Sequence, residues 1–122
     1  QDETSVLRTK AEQGDKDAQF NLGVMYDNGN GVPKDPVEAV KWYRKAAEQG
    51  QADAQSNLGL SYANGDGVPK DLVQAHMWFN LSGAKGTEEA KLKLETLEKQ
   101  MSAEQKAEAM KLARDRWTKA NP

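Results

Sequence analysis

A thirty-six-residue period runs through this chain and narrows what it can fold into more than any other feature. Gly14, Gly50 and Gly86 mark it, and residues 15–50 align without gaps on 51–86 with eighteen identities in thirty-six positions. The matched pairs include Ala18/Ala54, Asn21/Asn57, Leu22/Leu58, Gly23/Gly59, Tyr26/Tyr62, Pro33/Pro69, Asp35/Asp71, Ala39/Ala75 and Trp42/Trp78. A unit this short cannot bury its own apolar face, so stacked copies must bury one another's.

Each unit reads as two helices. Ala18, Leu22 and Tyr26 recur every fourth residue and give one apolar stripe. Val40, Tyr43, Ala46 and Ala47 do the same in the second half, widened by Ala39 and Trp42. No stretch alternates with period two for long enough to make a strand. The expected unit is therefore helix A, a bend, then helix B. Gly23 and Gly59 fall inside helix A, where glycine costs about 1 kcal/mol relative to alanine. That cost predicts a close helix–helix approach which a larger side chain would block.

The bend is "NGNGVPKD" at residues 28–35 and "NGDGVPKD" at 64–71. Gly29 stands where a left-handed residue closes helix A, and Gly31 is a second joint. Val32 is the apolar residue available to fold back on the core. Asp35 then reads as a helix cap with Pro36 in the first turn and Glu38 completing a capping box; Asp71 and Gln74 repeat the pattern. A phosphate loop would need lysine followed by serine or threonine after the second glycine, and a calcium loop would need more oxygen ligands. The stretch is a bend between helices.

Both ends look like worn copies. Residues 3–13 align with helix B, with Val6 opposite Trp42 and Leu7 opposite Tyr43. Residues 87–101 align with helix A, with Ala90 and Leu94 under Ala54 and Leu58. Ser102 and Gln105 form a capping box that opens a last helix through Met110, Leu112, Ala113 and Trp117. Its other face, Glu104, Lys106, Glu108, Lys111 and Asp115, is charged, as the end of a solenoid should be. The expected organisation is one all-α domain over 1–122. It comprises a partial repeat (1–14), two full repeats (15–50 and 51–86) and a degenerate C-terminal capping pair (87–122).

Charge narrows the partners. Seventeen basic and nineteen acidic residues leave −2. The balance is also even, since 1–14, 15–50 and 51–86 each carry −1 and 87–122 carries +1. No segment has the basic excess that a phosphate backbone requires, so nucleic acid is not an expected partner. Without cysteine there is no disulfide, thiolate metal site or thiol catalysis. No apolar run reaches membrane-spanning length, so insertion into a bilayer is not expected. The chain opens on Gln1 and not Met, and the expectation is an exported, periplasmic protein.

The stretches "AQFNLGVMYDNGNGVPKDPVEAVKWYRKAAEQG" and "AQSNLGLSYANGDGVPKDLVQAHMWFNLSGAKG" resemble the Sel1-like repeats, relatives of the tetratricopeptide repeats. The matching features are Ala-x-x-Asn-Leu-Gly-x-x-Tyr, the Gly-x-Gly-Val-Pro bend and Ala-x-x-Trp-Tyr/Phe. The closing "MSAEQKAEAMKLARDRW" is similar to the capping helix of many bacterial members. The resemblance implies a right-handed α-α superhelix of antiparallel helix pairs, acting as an adaptor for other proteins. It further implies a role in bacterial envelope processes, signalling or host interaction. One branch, linked to β-lactam binding, carries a disulfide in each repeat; this chain lacks that hallmark. Eukaryotic relatives assist quality control in the endoplasmic reticulum, whereas this short cysteine-free form resembles the bacterial members.

Catalysis has no visible support. His76, the sole histidine, replaces Val40 of the preceding copy and reads as a packing residue. Ser82 is six residues on, off the same helical face, so no triad is proposed. One histidine and no cysteine make no zinc set, and no metal or cofactor is expected. Trp42, Trp78 and Trp117 read as core packing and not as a platform for a cofactor or sugar.

A partner is instead expected on helix A, which lines the concave side of such a stack. The outward stripe is Asn21, Met25 and Asn28, then Asn57, Ser61 and Asn64, then Lys93, Leu97 and Gln100. An amide both donates and accepts, so Asn21 and Asn57 can bond a peptide backbone, while Met25 offers an adaptable apolar contact. The same asparagines could equally tie one helix to the next. An alternative role for the whole chain is a structural spacer, or a piece of a longer array that self-associates.

Overall fold

The computed structural model describes residues 2–122. They form seven helices: α1 (Glu3–Glu12), α2 (Lys16–Asn28), α3 (Pro36–Glu48), α4 (Ala52–Asn64), α5 (Leu72–Ala84), α6 (Glu88–Glu98) and α7 (Ala103–Ala120). No strand is present among the described residues. Helices α2 and α4 are the A helices of the two repeats, and α3 and α5 are their B helices. Each A helix packs on its own B helix and on the B helix before it.

Local chemistry sets the boundaries. Asp15, Asp35 and Asp71 each accept a hydrogen bond from the third residue of the helix that follows. Among the described residues only Ser102 and Gln105 complete a reciprocal capping box. The boxes expected at Asp35/Glu38 and Asp71/Gln74 are half formed, because in each only the aspartate bonds back. Glu38 instead lies 3.8 Å from Lys41. Gly29 and Gly65 end the A helices at φ 67° in each, the left-handed conformation expected of them.

The core is a row of clusters between successive helices. Ala11, Ala18, Leu22 and Trp42 join α1, α2 and α3. Tyr43, Leu58, Met77 and Trp78 join α3, α4 and α5. Phe79, Ala90, Leu97 and Met101 carry the packing on to α6. The glycine expectation holds: a Cβ on Gly23 would stand 2.6 Å from the Tyr43 ring, and one on Gly59 2.9 Å from Phe79. Both bend valines are half-buried, and Val68 packs against the central cluster.

The C-terminal pair is built differently from the repeats. Helix α6 packs on α5, as α4 packs on α3, but α7 lies chiefly against α5, meeting α6 only where Ala109 joins the Leu97 cluster. Ala109 joins the cluster of Ala75 and Phe79, and the last turns of α7 reach Lys85 at the end of α5. The two helices therefore run in the same direction. Small side chains make this contact, since Ala109 and Ala113 are buried while Met110 and Trp117 are 51% and 42% exposed. Trp117 is thus a surface residue, unlike Trp42 and Trp78, and the core-packing expectation fails for it.

Candidate functional site

The helix A stripe divides once it is folded. Asn21, Asn28, Asn64, Lys93 and Gln100 are exposed, and Asn57 and Met25 are half-buried. Ser61 and Leu97 are buried, at 7% and 5% exposure, so neither is open to a partner. The reason is angular. At about 100° per residue, position 25 stands about 60° from core Leu22, whereas 21 and 28 stand about 100° and 120° away. Met25, Ser61 and Leu97 share that inner shoulder. Met25 packs with the Leu22 cluster, Ser61 turns its hydroxyl to the Asn57 carbonyl at 3.1 Å, and Leu97 joins Ala90 and Ala109.

What remains is a row of polar ends on α2, α4 and α6, flanked by half-buried Val24 and Leu60. Asn57 also faces the fold, since its side chain lies beside the Tyr43 phenol and favours the phenolate, against the stronger opposing effects of burial and Asp27. The Tyr43 hydroxyl donates to Asp27 Oδ2 at 2.9 Å. Burial first, and the Asp27 charge second, push the Tyr43 pKa well above the ordinary phenol range.

Between the repeats lies a second recurring contact that sequence reading missed. Arg8 donates to the Tyr26 hydroxyl at 2.8 Å, and Arg44 donates to Tyr62 at 2.6 Å. Each guanidinium also lies over its partner ring, 5.8 and 5.5 Å from the centroid. The signal was available, because both members of each pair repeat at the period. In the next unit the equivalent positions are Asn80 and Glu98, and the clamp is replaced.

Glu98 there meets the sole histidine. His76 is 1% exposed, with Nε2 3.1 Å from Glu98 Oε2. It is a packing residue, as expected, but more deeply buried and with a carboxylate partner across α5 and α6. Ser82 Oγ donates to the Ala52 carbonyl at 2.8 Å, so Ser82 and His76 are engaged in separate contacts. Among the described residues no group of three His, Asp or Glu side chains is placed to hold a metal ion. No helix among them is long and apolar enough to cross a membrane.

A family model for the Sel1 repeat matches residues 16–51 and 52–87. Over 40 residues the chain is 45% identical to the secretory immunoglobulin A-binding protein EsiB of Escherichia coli O6:H1 (strain CFT073), a stretch that is 33% of this chain and 8% of EsiB. The fold superposes on c5321, a protective antigen of uropathogenic Escherichia coli strains with an SLR fold, with a TM-score of 0.92 and 38% identity, covering 98% of this chain and 26% of c5321. It also matches a Sel1 repeat protein from Oxalobacter formigenes with a TM-score of 0.72 and 44% identity, over 74% of this chain and 68% of that one. For Helicobacter pylori cysteine rich protein B the TM-score is 0.68 and the identity 31%, over 71% and 65%. The chain therefore spans only a small part of EsiB and about a quarter of c5321. Sel1 repeats are helical scaffolds that generally mediate protein interactions and not catalysis, and these relatives are bacterial. With the 36-residue unit matched twice, across more than half of its length, and the stacked helix pairs superposing throughout, the chain belongs to the Sel1 repeat family.

Proposed function

We propose that this chain is a non-catalytic adaptor that holds a peptide or protein segment along the row formed by α2, α4 and α6. The observation that carries this reading is the recurrence of accessible amides at one register. Asn21 and Asn28 on α2 are matched by Asn57 and Asn64 on α4, with Asn57 half-buried and the other three exposed, and exposed Lys93 follows on α6. Amides in such a row suit the backbone of an extended segment, which offers donors and acceptors in turn. Half-buried Met25, Val24 and Leu60 add apolar area beside them, whereas Ser61 and Leu97 are buried and cannot. The near-neutral charge argues for a protein partner over a polyanion. EsiB is named for binding an immunoglobulin and c5321 for being an antigen, which supports a protein-binding role and export to the periplasm or beyond.

The test is selection from a displayed library of random linear peptides, followed by amide chemical-shift mapping on the folded chain. The expected shifts lie on α2, α4 and α6, and the double variant Asn21→Arg, Asn57→Arg loses binding with its helical circular dichroism intact. Selected peptides that bind the double variant unchanged would overturn the reading.

One observation favours a second reading, self-association at the N-terminal end. Val6 holds the register of Trp42 and Trp78, which are buried, yet it is 40% exposed. A second copy packing there would cover it. Sedimentation should then show a dimer that Val6→Glu abolishes.

A further inference from the structure

The two repeats differ in how they satisfy a buried glutamine. Gln19 and Gln55 occupy the same place on α2 and α4, each 4% exposed, and each donates Nε2 to a carbonyl of the preceding B helix, Ala11 or Ala47. In the first repeat the Gln19 Oε1 also accepts a bond of 2.7 Å from Gln49 Nε2. The register of Gln49 is held in the second repeat by Lys85, which turns away and donates to the Gly50 carbonyl at 2.7 Å. Gln55 Oε1 is left buried with no protein partner. So is the Nε1 of Trp78, a residue only 1% exposed. Buried polar groups are normally paired, so two such orphans together call for an explanation.

Both residues line one cavity of about 500 Å³. It lies between the C-terminal ends of α3 and α5 and the last turns of α7, within the size range of small-molecule sites. Its walls carry the cations Lys85, Arg116 and Lys119 against the single anion Glu48. Arg116 lies over the Trp78 ring, 4.6 Å from its centroid, and is itself exposed, so it can swing to meet an anion. The orphan atoms are an acceptor and a donor, and the rim is positive. A ligand that suits all three offers an N–H, an oxygen acceptor and a negative charge in one small molecule or chain end.

We propose that this cavity binds an acylated amino acid with a free α-carboxylate, the chemistry found at the carboxy-terminal end of a peptide. The amide N–H donates to Gln55 Oε1. The carboxylate accepts from Trp78 Nε1 and is neutralised by Arg116 and Lys119. The site is separate from the α2–α4–α6 row and does not depend on it.

The experiment follows the indole N–H resonances of the folded chain, with that of Trp78 assigned through Trp78→Phe. The probes are an N-acetylated dipeptide with a free carboxylate, its C-terminal amide, and a longer peptide with the same free end. Saturable movement of the Trp78 resonance is expected with both carboxylates, and affinity at least tenfold weaker with the amide. Tighter binding of the longer peptide identifies a protein tail as the source, and equal binding identifies a small molecule; both outcomes support the site. Lys85→Gln restores the residue that the first repeat uses, and so remains compatible with the fold. It should bond Gln55 Oε1 and weaken the dipeptide by about tenfold. Arg116→Ala, at an exposed position, should do the same, and the Asn21→Arg, Asn57→Arg variant should bind as well as the parent. An unmoved Trp78 resonance, equal affinity for the amide, or undiminished binding by Lys85→Gln would each overturn the proposal.

Discussion

Residues 15–50 and 51–86 are near-copies, and what they do differently separates the fold's requirements from its local options. Both place a helix A glycine against an aromatic ring, both end helix A on a left-handed glycine, and both hold a buried glutamine to the preceding carbonyl. These are the stacking rules. The copies differ where a pair has been exchanged. Tyr43 with Asp27 becomes Phe79 with Ala63, Val40 becomes His76, and Gln49 becomes Lys85. A requirement of the stack is thus met twice by the same atoms, whereas an option is met by whatever partner the neighbouring unit supplies.

The sharpest test of that distinction lies in the bends. Gly67 has φ +79°, and a side chain on it would collide with the Pro36 carbonyl of the unit before. Gly31 has φ +80°, but its nearest obstacles are the flexible Met25 Cε at 3.1 Å and the Thr4 hydroxyl at 3.3 Å. Gly67→Ala should therefore lose about 3 kcal/mol, combining left-handed strain with a backbone clash. Gly31→Ala should lose about 1 kcal/mol. Urea denaturation measures both, and equal losses would mean that the second bend is not pinned to α3.

The exchanged aromatic pair gives an intermediate effect with a built-in asymmetry. Phe79→Tyr puts a hydroxyl where residue 63 is alanine, so a buried group goes unpaired at a cost of about 2 kcal/mol. Tyr43→Phe removes the bond to Asp27 and should cost about 1 kcal/mol. The Tyr43 phenol also predicts a pH dependence. Because its folded pKa is raised, the folded state keeps the proton that the unfolded chain releases. Its contribution is intact below the free phenol's range, near 10, and declines as pH rises from there towards the folded value. Alkaline titration of stability should therefore fall less steeply in Tyr43→Phe than in the parent.

Smaller changes are expected from the inter-repeat contacts. Arg44→Ala removes the bond to Tyr62 and the stacked cation, and should cost about 1 kcal/mol by thermal or urea unfolding. His76→Val installs the first repeat's residue. It deletes the Glu98 contact together with a buried Nδ1 that has no partner, and Glu98 is 38% exposed at its side chain and can turn to water. The two effects oppose, and the net change should stay within about 0.5 kcal/mol. A much larger loss would make the His76–Glu98 pair a requirement of the stack and not a local option.

Most of the architecture was legible before folding was considered. The period placed α1 to α6 and the internal identities placed the two bends, because each repeated residue is constrained by the same neighbour. The site was less legible. Ser61 and Leu97 were expected in the open row, yet they sit on the shoulder of the helix nearest the core, a matter of about 40° that a list of offsets does not weigh. Trp117 was expected in the core, but α7 meets α5 through Ala109 and Ala113 and turns the tryptophan outward. The cavity at the end of α7 was not anticipated at all. Its only trace is Lys85 in the register of Gln49, and that trace means nothing until Gln55 is known to lie beneath it.

Linear order alone determined that this protein is a stack of helix pairs, where each pair bends and at which glycines two helices approach closely. Those outcomes depend on contacts within one unit or between identical units, and a repeat states such contacts twice. Only the tertiary structure decided that α7 lies along α5, that one polar stripe splits into buried and open halves, and that two buried polar atoms beside the end of α7 are left without partners. These depend on side chains brought together from α3, α4, α5 and α7, where the period is broken and nothing in the chain is repeated to announce them.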